Sequence, residues 1–287
     1  MQESANIREA FRYCEAIARR HYENFPVASV FLPRAKRPFV AAIYAFARAA
    51  DDFADEGDLP PAERLRRLDG WEAKLDACYR GSASDPVFIA LAETVHRHAI
   101  PQQPLHDLLA AFRMDVTTKR YRTYRDLLQY CSCSANPIGR LILYLFEEAS
   151  ERTIPLSDAL CTALQLTNFW QDVAVDLRKG RVYLPLEDLD RFGYTEEDLF
   201  AFKADTRFAS LIRFQVERTR QLFDAGKPLA EIASNRLRFE LRLTLAGGIA
   251  ILDRIRRGNY DVLTRRPALT VPERAFVLVK TAFRRNP

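Results

Sequence analysis

Two groups of carboxylates are spaced so that they could act together on a charged ligand. Asp51-Asp52-Phe53-Ala54-Asp55-Glu56 and Asp172-Val173-Ala174-Val175-Asp176 lie about 120 residues apart, and each holds acids four positions apart. On a helix, positions i and i+4 share a face and lie ~6 Å apart along the axis. Like charges so placed repel, more strongly where the surroundings are apolar. A chain that does this twice needs a counter-charge. A divalent cation carrying a polyanion is the best candidate, because Mg²⁺ takes one or two carboxylates and fills its other positions with phosphate oxygens and water. A solvated charge cluster at a helix end is the plain alternative. It explains one such group more easily than two on apolar helices.

Each group has company. Tyr44, Arg48 and Asp52 follow i, i+4, i+8, and Arg48 also reaches Asp51. An arginine one turn behind the acids either forms an intrahelical salt bridge or grips a phosphate with both arms of its fork. In the second group Asn168, Asp172 and Asp176 share a stripe, with Gln165 on the same side. Arg178, Lys179 and Arg181 follow within five residues, then Tyr183-Leu184-Pro185. Three oxygen donors followed by three cations suit metal plus diphosphate. The same Arg178 and Lys179 also serve as ordinary C-terminal helix cations.

The elements that carry these residues read as helices nearly throughout. Residues 4–23 are amphipathic, and 37–55 are apolar on most sides, as in a central helix. Gly57 and Pro60-Pro61 end it. Further helices are expected at 61–79, 86–98, 104–114, 123–130, 136–149, 156–177, 195–200, 205–223, 226–233, 236–257 and 271–284. No segment alternates as a strand would. The expectation is a single all-α domain over residues 1–287, with buried central helices. Both acidic groups fall in the last turns of their helices, the negative end of the macrodipole, where an acid costs roughly 0.3–1 kcal/mol. A design indifferent to function would avoid this twice.

The chain has 287 residues, 48% of them hydrophobic, a formal charge of +5 and a pI of about 9.0. This mild excess suits anionic ligands or an anionic membrane surface. Lys and Arg are scattered among acids, which disfavours nucleic acid; the main cluster is at 254, 256, 257, 265 and 266. Five cysteines without pattern point to a reduced, cytoplasmic protein, and Cys131-Ser132-Cys133 lacks the second ligand pair of a zinc site. No apolar run is long enough to span a bilayer, so any membrane contact is peripheral, at the inner face of the cell membrane.

These motifs give the chain its resemblance. Over essentially its whole length it resembles the squalene/phytoene synthase family, most closely the bacterial hydroxysqualene synthase branch. Asp51, Asp52 and Asp55 match the family's first aspartate-rich motif. Asn168 through Pro185 match its second, and Tyr130-Cys131 match a third block leading into the apolar helix with Gly139. The resemblance implies an isoprenoid-synthase bundle with a central cavity. It implies Mg²⁺ bound by Asp51, Asp55, Asn168, Asp172 and Asp176, with the four aspartates and Tyr130 as catalytic residues. It further implies diphosphate contacts from Tyr44, Arg48 and an arginine near the C-terminus, for which Arg265 is the best match. Gln165, Arg178, Lys179, Arg181 and Tyr183 complete the substrate contacts. All five metal ligands are then expected at one cavity mouth.

The chain departs from the commoner family pattern in two places. His21-Tyr22-Glu23-Asn24-Phe25-Pro26-Val27-Ala28-Ser29 replaces a segment whose serines hold a diphosphate, which puts Asn24 there. Ser134-Ala135-Asn136-Pro137-Ile138-Gly139 replaces a small-residue stretch. Both look like the hydroxysqualene synthase branch, whose members take presqualene diphosphate and quench the rearranged cation with water, in functional coupling to neighbouring enzymes of squalene synthesis. NADPH is not expected on that resemblance; the absence of a G-x-G-x-x-G segment after a strand adds little. Pro137 lacks an N–H and can leave the carbonyl of Cys133 without its helical donor, and the Asn136 amide could join that carbonyl in holding a water. Alternatively, Pro137 merely opens a helix capped by Asn136. The many aromatic rings suit a cation-stabilising cavity, although Phe46 and Phe169 are individually better read as core.

Overall fold

The computed structural model describes residues 2–20 and 32–283. The motif from His21 to Ser29, with Asn24 and Phe25, lies outside them. The described residues form helices with no strand; the one β-type pairing is an isolated parallel bridge between Arg120 and Val182. In chain order the helices are α1 (Gln2–Arg20), α2 (Arg37–Asp55), α3 (Pro61–Tyr79), α4 (Pro86–Arg97), α5 (Gln103–Thr117), α6 (Tyr124–Ser134), α7 (Asn136–Leu145), α8 (Thr153–Arg178), α9 (Leu186–Arg191), α10 (Glu196–Phe200), α11 (Thr206–Gly226), α12 (Leu229–Ile232), α13 (Asn235–Arg257) and α14 (Val271–Phe283). They gather into two compact units that interleave along the chain, residues 1–117 with 137–150, and residues 118–136 with 151–287.

The first unit is built on α2. Its alanines at 41, 42, 45 and 50 are buried, so neighbouring helices approach closely, and Phe46 is wholly enclosed. Burying one such side chain stabilises by roughly 1.5–3 kcal/mol. Phe46, Trp71 and Phe88 pack as one aromatic group, with Trp71 and Phe88 centroids 4.6 Å apart, and the Trp71 indole donates to the Phe46 carbonyl at 3.3 Å. Asp85 caps α4 by accepting from the Val87 N–H at 3.0 Å, with Pro86 in the first turn. Helix α2 stops where Glu56 turns extended and Gly57 takes φ +76°, a conformation glycine adopts without strain.

The second unit is built on α8. Leu160, Ala163, Leu166, Trp170, Val173 and Leu177 are buried, and the Trp170 indole donates to Thr219 Oγ1 of α11 at 2.8 Å. Helix α11 comes very near α8 because residue 226 has no side chain. A Cβ there would lie 2.9 Å from the Leu160 backbone nitrogen and 3.0 Å from the Leu156 carbonyl oxygen. Helix α6 opens with a reciprocal cap: Thr123 Oγ1 accepts from the Asp126 N–H, and the Asp126 carboxylate accepts from the Thr123 N–H.

Candidate functional site

Helix α2 presents the first acidic group at its C-terminal end. The Arg48 side chain is largely buried and its guanidinium meets three carboxylates: Asp51 at 3.2 Å, Asp52 at 2.6 Å, and Glu56. Its Nε is buried and lacks a hydrogen-bond partner, so the fork is engaged while its inner nitrogen is not. Asp55 is exposed on the next turn. The Tyr44 hydroxyl is held above its ordinary pKa, first by burial and then by Asp51 and Asp52, against the pull of Arg48. No local spacing marks Arg64 as a partner of this group. It donates to the carbonyls of Phe53 (3.3 Å), Glu56 (3.1 Å) and Gly57 (2.6 Å), placing a cation at the negative end of α2. One residue-level alternative therefore holds: Arg48 does form an intrahelical salt bridge.

Helix α8 presents the second group. Asn168 is exposed, and Gln165, Asp172 and Asp176 are half-buried, on a helix otherwise largely enclosed. Burial pushes the Asp176 carboxyl up to about 6; the negative charge of Asp172 adds to this, while Lys179 and Arg181 oppose it. Asp176 lines a recess with Arg181, Tyr183, Phe169, Val173 and Leu177. Tyr183 stacks on Phe169 with centroids 3.8 Å apart and planes 8° from parallel. Tyr130 adjoins both rings at about 6 Å. Phe46 and Phe169 are both buried. Arg178 and Lys179 stand exposed where the helix ends, and the Lys179 N–H donates to the Asp176 carbonyl at 3.0 Å.

Two arginines that no helical spacing links to these acids shape this group. Arg266 makes a two-pronged pair with Asp172, its Nη2 3.1 Å from Oδ2 and its Nε on Oδ1. Arg265, the residue that the family resemblance favours, is exposed beside it. The buried Gln171 amide donates to the Pro267 carbonyl at 2.5 Å and fixes that loop on α8. Arg120 donates to the Gly180 carbonyl at 2.6 Å and pairs with Glu196 at 2.7 Å, bracing the turn that carries the cations.

Asn136 opens α7 as its first residue, with Pro137 second, after a single turn residue, Ala135. Its side chain is buried and its Oδ1 accepts from Thr162 Oγ1 at 2.9 Å. The amide thus ties the start of α7 to α8 rather than serving only its own helix.

The donors in both groups are hard oxygens, the chemistry that suits Mg²⁺, and each group keeps a carboxylate pair at i, i+4. Among the described residues no three His, Cys, Asp or Glu side chains are gathered into a metal cage. A metal held by one or two carboxylates and completed by substrate oxygens fits this donor set better than an all-protein site. The oxygen donors on offer are Asp51 and Asp55 at the end of α2 and, separately, Asn168, Asp172 and Asp176 along α8.

Known proteins match this arrangement. The squalene/phytoene synthase family model matches residues 18–273. A phytoene synthase from Arthrospira platensis is 33% identical over 93% of this chain and 90% of its own. A hydroxysqualene synthase from Sinorhizobium fredii is 37% identical over 78% of this chain and 76% of its own. The crystal structure of squalene synthase HpnC from Alicyclobacillus acidocaldarius superposes with a TM-score of 0.86 at 40% identity, covering 90% of this chain and 97% of that one. With both acidic motifs in place on an all-α isoprenoid-synthase fold, the chain belongs to the squalene/phytoene synthase family of head-to-head prenyl transferases.

Proposed function

We propose that this protein is a hydroxysqualene synthase: it ionises presqualene diphosphate, lets the cyclopropylcarbinyl cation rearrange, and captures the product cation with water. The observation that carries the reading is the similarity to hydroxysqualene synthases, 37% identity in one and 34% in another, together with Asn136-Pro137 in place of a small-residue stretch. The sister reading, a phytoene synthase, is favoured by the 33% identity with a phytoene synthase over a longer stretch.

In the proposed reaction the carbon–oxygen bond breaks and the diphosphate leaves with the electron pair. Mg²⁺, when bound, would offset the charge that develops on the leaving oxygens. Arg48 and Arg266 now hold Asp51, Asp52 and Asp172; their donors suit phosphate oxygens once those acids have another partner. Arg181 and Lys179 supply further positive charge beside Asp176. The rings of Phe169, Tyr183 and Tyr130 offer π faces to a cation. For the quench, the Asn136 carbonyl oxygen is engaged by Thr162, so a water held there would accept from the Asn136 amide N–H and donate to the Cys133 carbonyl. Water adds through oxygen and releases a proton to solvent, and no reductant is consumed.

The test is product analysis by mass spectrometry with presqualene diphosphate in H₂¹⁸O. Labelled hydroxysqualene without NADPH is the expected product. Squalene formed only with NADPH, or phytoene from a longer diphosphate, defeats the reading. An Asn136→Gly, Pro137→Thr double variant should shift product towards unhydroxylated hydrocarbon.

A further inference from the structure

The chain's net positive charge is carried by one end. Residues 253–287 hold nine Lys or Arg against three Asp or Glu, a surplus of +6; residues 1–252 hold the remaining 34 cations against 35 acids, a deficit of one. The whole net charge of +5 therefore resides in this stretch. Five large hydrophobic side chains stand exposed among the described residues, and three belong here: Val271 at 78%, Phe276 at 64% and Val279 at 51%.

Helix α14 organises both features. Pro272, Ala275, Phe276 and Val279 follow i, i+3, i+4, i+7 and all are exposed, which makes one apolar stripe facing water. On the other side Thr281 is buried. The helix is firmly started: the Glu273 carboxylate accepts from the Thr270 N–H at 2.8 Å and from its hydroxyl at 2.9 Å. Glu273 also pairs with Arg254 at 3.2 Å and approaches Arg257 at 4.0 Å, so the basic last turn of α13 adjoins the first turn of α14. Arg256 and Arg257 have mostly exposed side chains, and Lys280 Nζ lies 5.8 Å from the Phe276 ring centre. No helix of the described residues is long and apolar enough to cross a membrane. An exposed apolar stripe bordered by cations, on a helix too short to span, is the pattern of a helix lying in a bilayer interface.

We propose that α14 docks the protein on an anionic lipid surface. Phe276 and Val279 enter the boundary between headgroups and acyl chains, while Arg256, Arg257 and Lys280 meet lipid phosphates. A second copy of this chain is the competing occupant, but it would bring Arg256, Arg257 and Lys280 against their own image, whereas the same cations attract anionic lipid. The proposal rests on the prenyl-diphosphate reading for its purpose, delivery of a lipid substrate, and not for its test.

The experiment is co-sedimentation of the full chain with vesicles of phosphatidylcholine alone or mixed one-to-one with phosphatidylglycerol. The expected result is binding to the mixed vesicles that weakens with added salt. Phe276→Asp with Val279→Asp should lower binding about tenfold or more, since a charge replaces each apolar anchor. Because both residues are exposed, circular dichroism and the thermal midpoint should not change. Arg256→Ser with Arg257→Ser should flatten the salt dependence. Full binding by the Asp double variant overturns the proposal, as does failure of the wild type to bind mixed vesicles at low salt. A change of elution volume in the Asp variant with vesicle binding intact also overturns it and assigns the stripe to self-association. If detergent-dispersed prenyl diphosphate is not turned over while vesicle binding behaves as expected, the catalytic reading fails and the docking surface stands.

Discussion

Arg48 and Arg266 each sit on the carboxylates that a metal would use, so both acidic groups are internally neutralised only in part. Asp51→Asn or Asp172→Asn should therefore leave the fold intact and lower turnover on the order of 10³-fold, since a leaving diphosphate loses electrostatic support. EDTA should abolish turnover of the wild type, and added Mg²⁺ should restore it; full turnover in EDTA would rule out the metal assignment. A separate residue controls a pH effect on stability. Glu240 of α13 is buried, its Oε1 lacks a hydrogen-bond partner, and burial pushes its carboxyl up from 4.5 to about 7. Between those values the folded chain holds a proton that the unfolded chain releases. Stability is therefore highest below about 4.5 for this group and falls as pH rises towards 7, by up to about 3 kcal/mol. Thermal midpoints of Glu240→Gln should exceed wild type at pH 8 and match it near pH 5; equal midpoints at both would show that the carboxyl is not strained. At this scale the sequence was legible where spacing on one helix decided the partner, as for Arg48 with Asp51 and Asp52. It was not legible where partners are distant in sequence, as for Arg266 with Asp172 or Thr162 with Asn136, because no local period encodes those contacts.

Helix α8 is held by close packing against α11, and that packing decides where Asn168, Asp172 and Asp176 stand. Gly226→Ala would bring a methyl to 2.9 Å from the Leu160 backbone nitrogen. Backbone cannot turn aside as a side-chain tip can, so the cost should be about 1–3 kcal/mol, read as a lower thermal midpoint. An unchanged midpoint would mean that α11 and α8 slide apart freely. Gly248→Ala should cost at least as much, since its new methyl would lie 2.5 Å from the tip of the Phe223 ring, which is itself enclosed. The long helices were readable because apolar residues recur at 3.6 over many turns. Helix α2 matches its expected span of 37–55, and α8 extends the expected 156–177 by a few residues at the start. That extension carries Pro155 within the first turn, where a missing N–H is harmless. Leu186–Arg191 is too short to show a period in the sequence; it follows directly on Pro185, which occupies the N-cap. The helix expected at 226–233 shrinks to Leu229–Ile232, because α11 runs on to Gly226.

The two acidic motifs belong to different compact units of the chain, so their cooperation is a question about the whole molecule. If both act on one diphosphate, their contributions to transition-state stabilisation are coupled. Removing either then disables the same step, and removing the second adds little. If they act separately, their losses multiply. A double-mutant cycle of Asp51→Asn and Asp172→Asn distinguishes these outcomes. We expect the double variant to be within about tenfold of the weaker single variant, against a product of losses on the order of 10⁶-fold for independent sites. Ligand linkage gives an independent reading. A non-hydrolysable prenyl thiodiphosphate with Mg²⁺ should raise the thermal midpoint of the wild type, because it binds only the folded chain. Either single substitution should remove most of that rise, since one ligand cannot stabilise through half of its contacts with full affinity. The result that contradicts a shared site is a thiodiphosphate-dependent rise that survives in Asp51→Asn and disappears only in Asp172→Asn. In that case the second motif alone holds the diphosphate, and the acids of α2 serve another purpose.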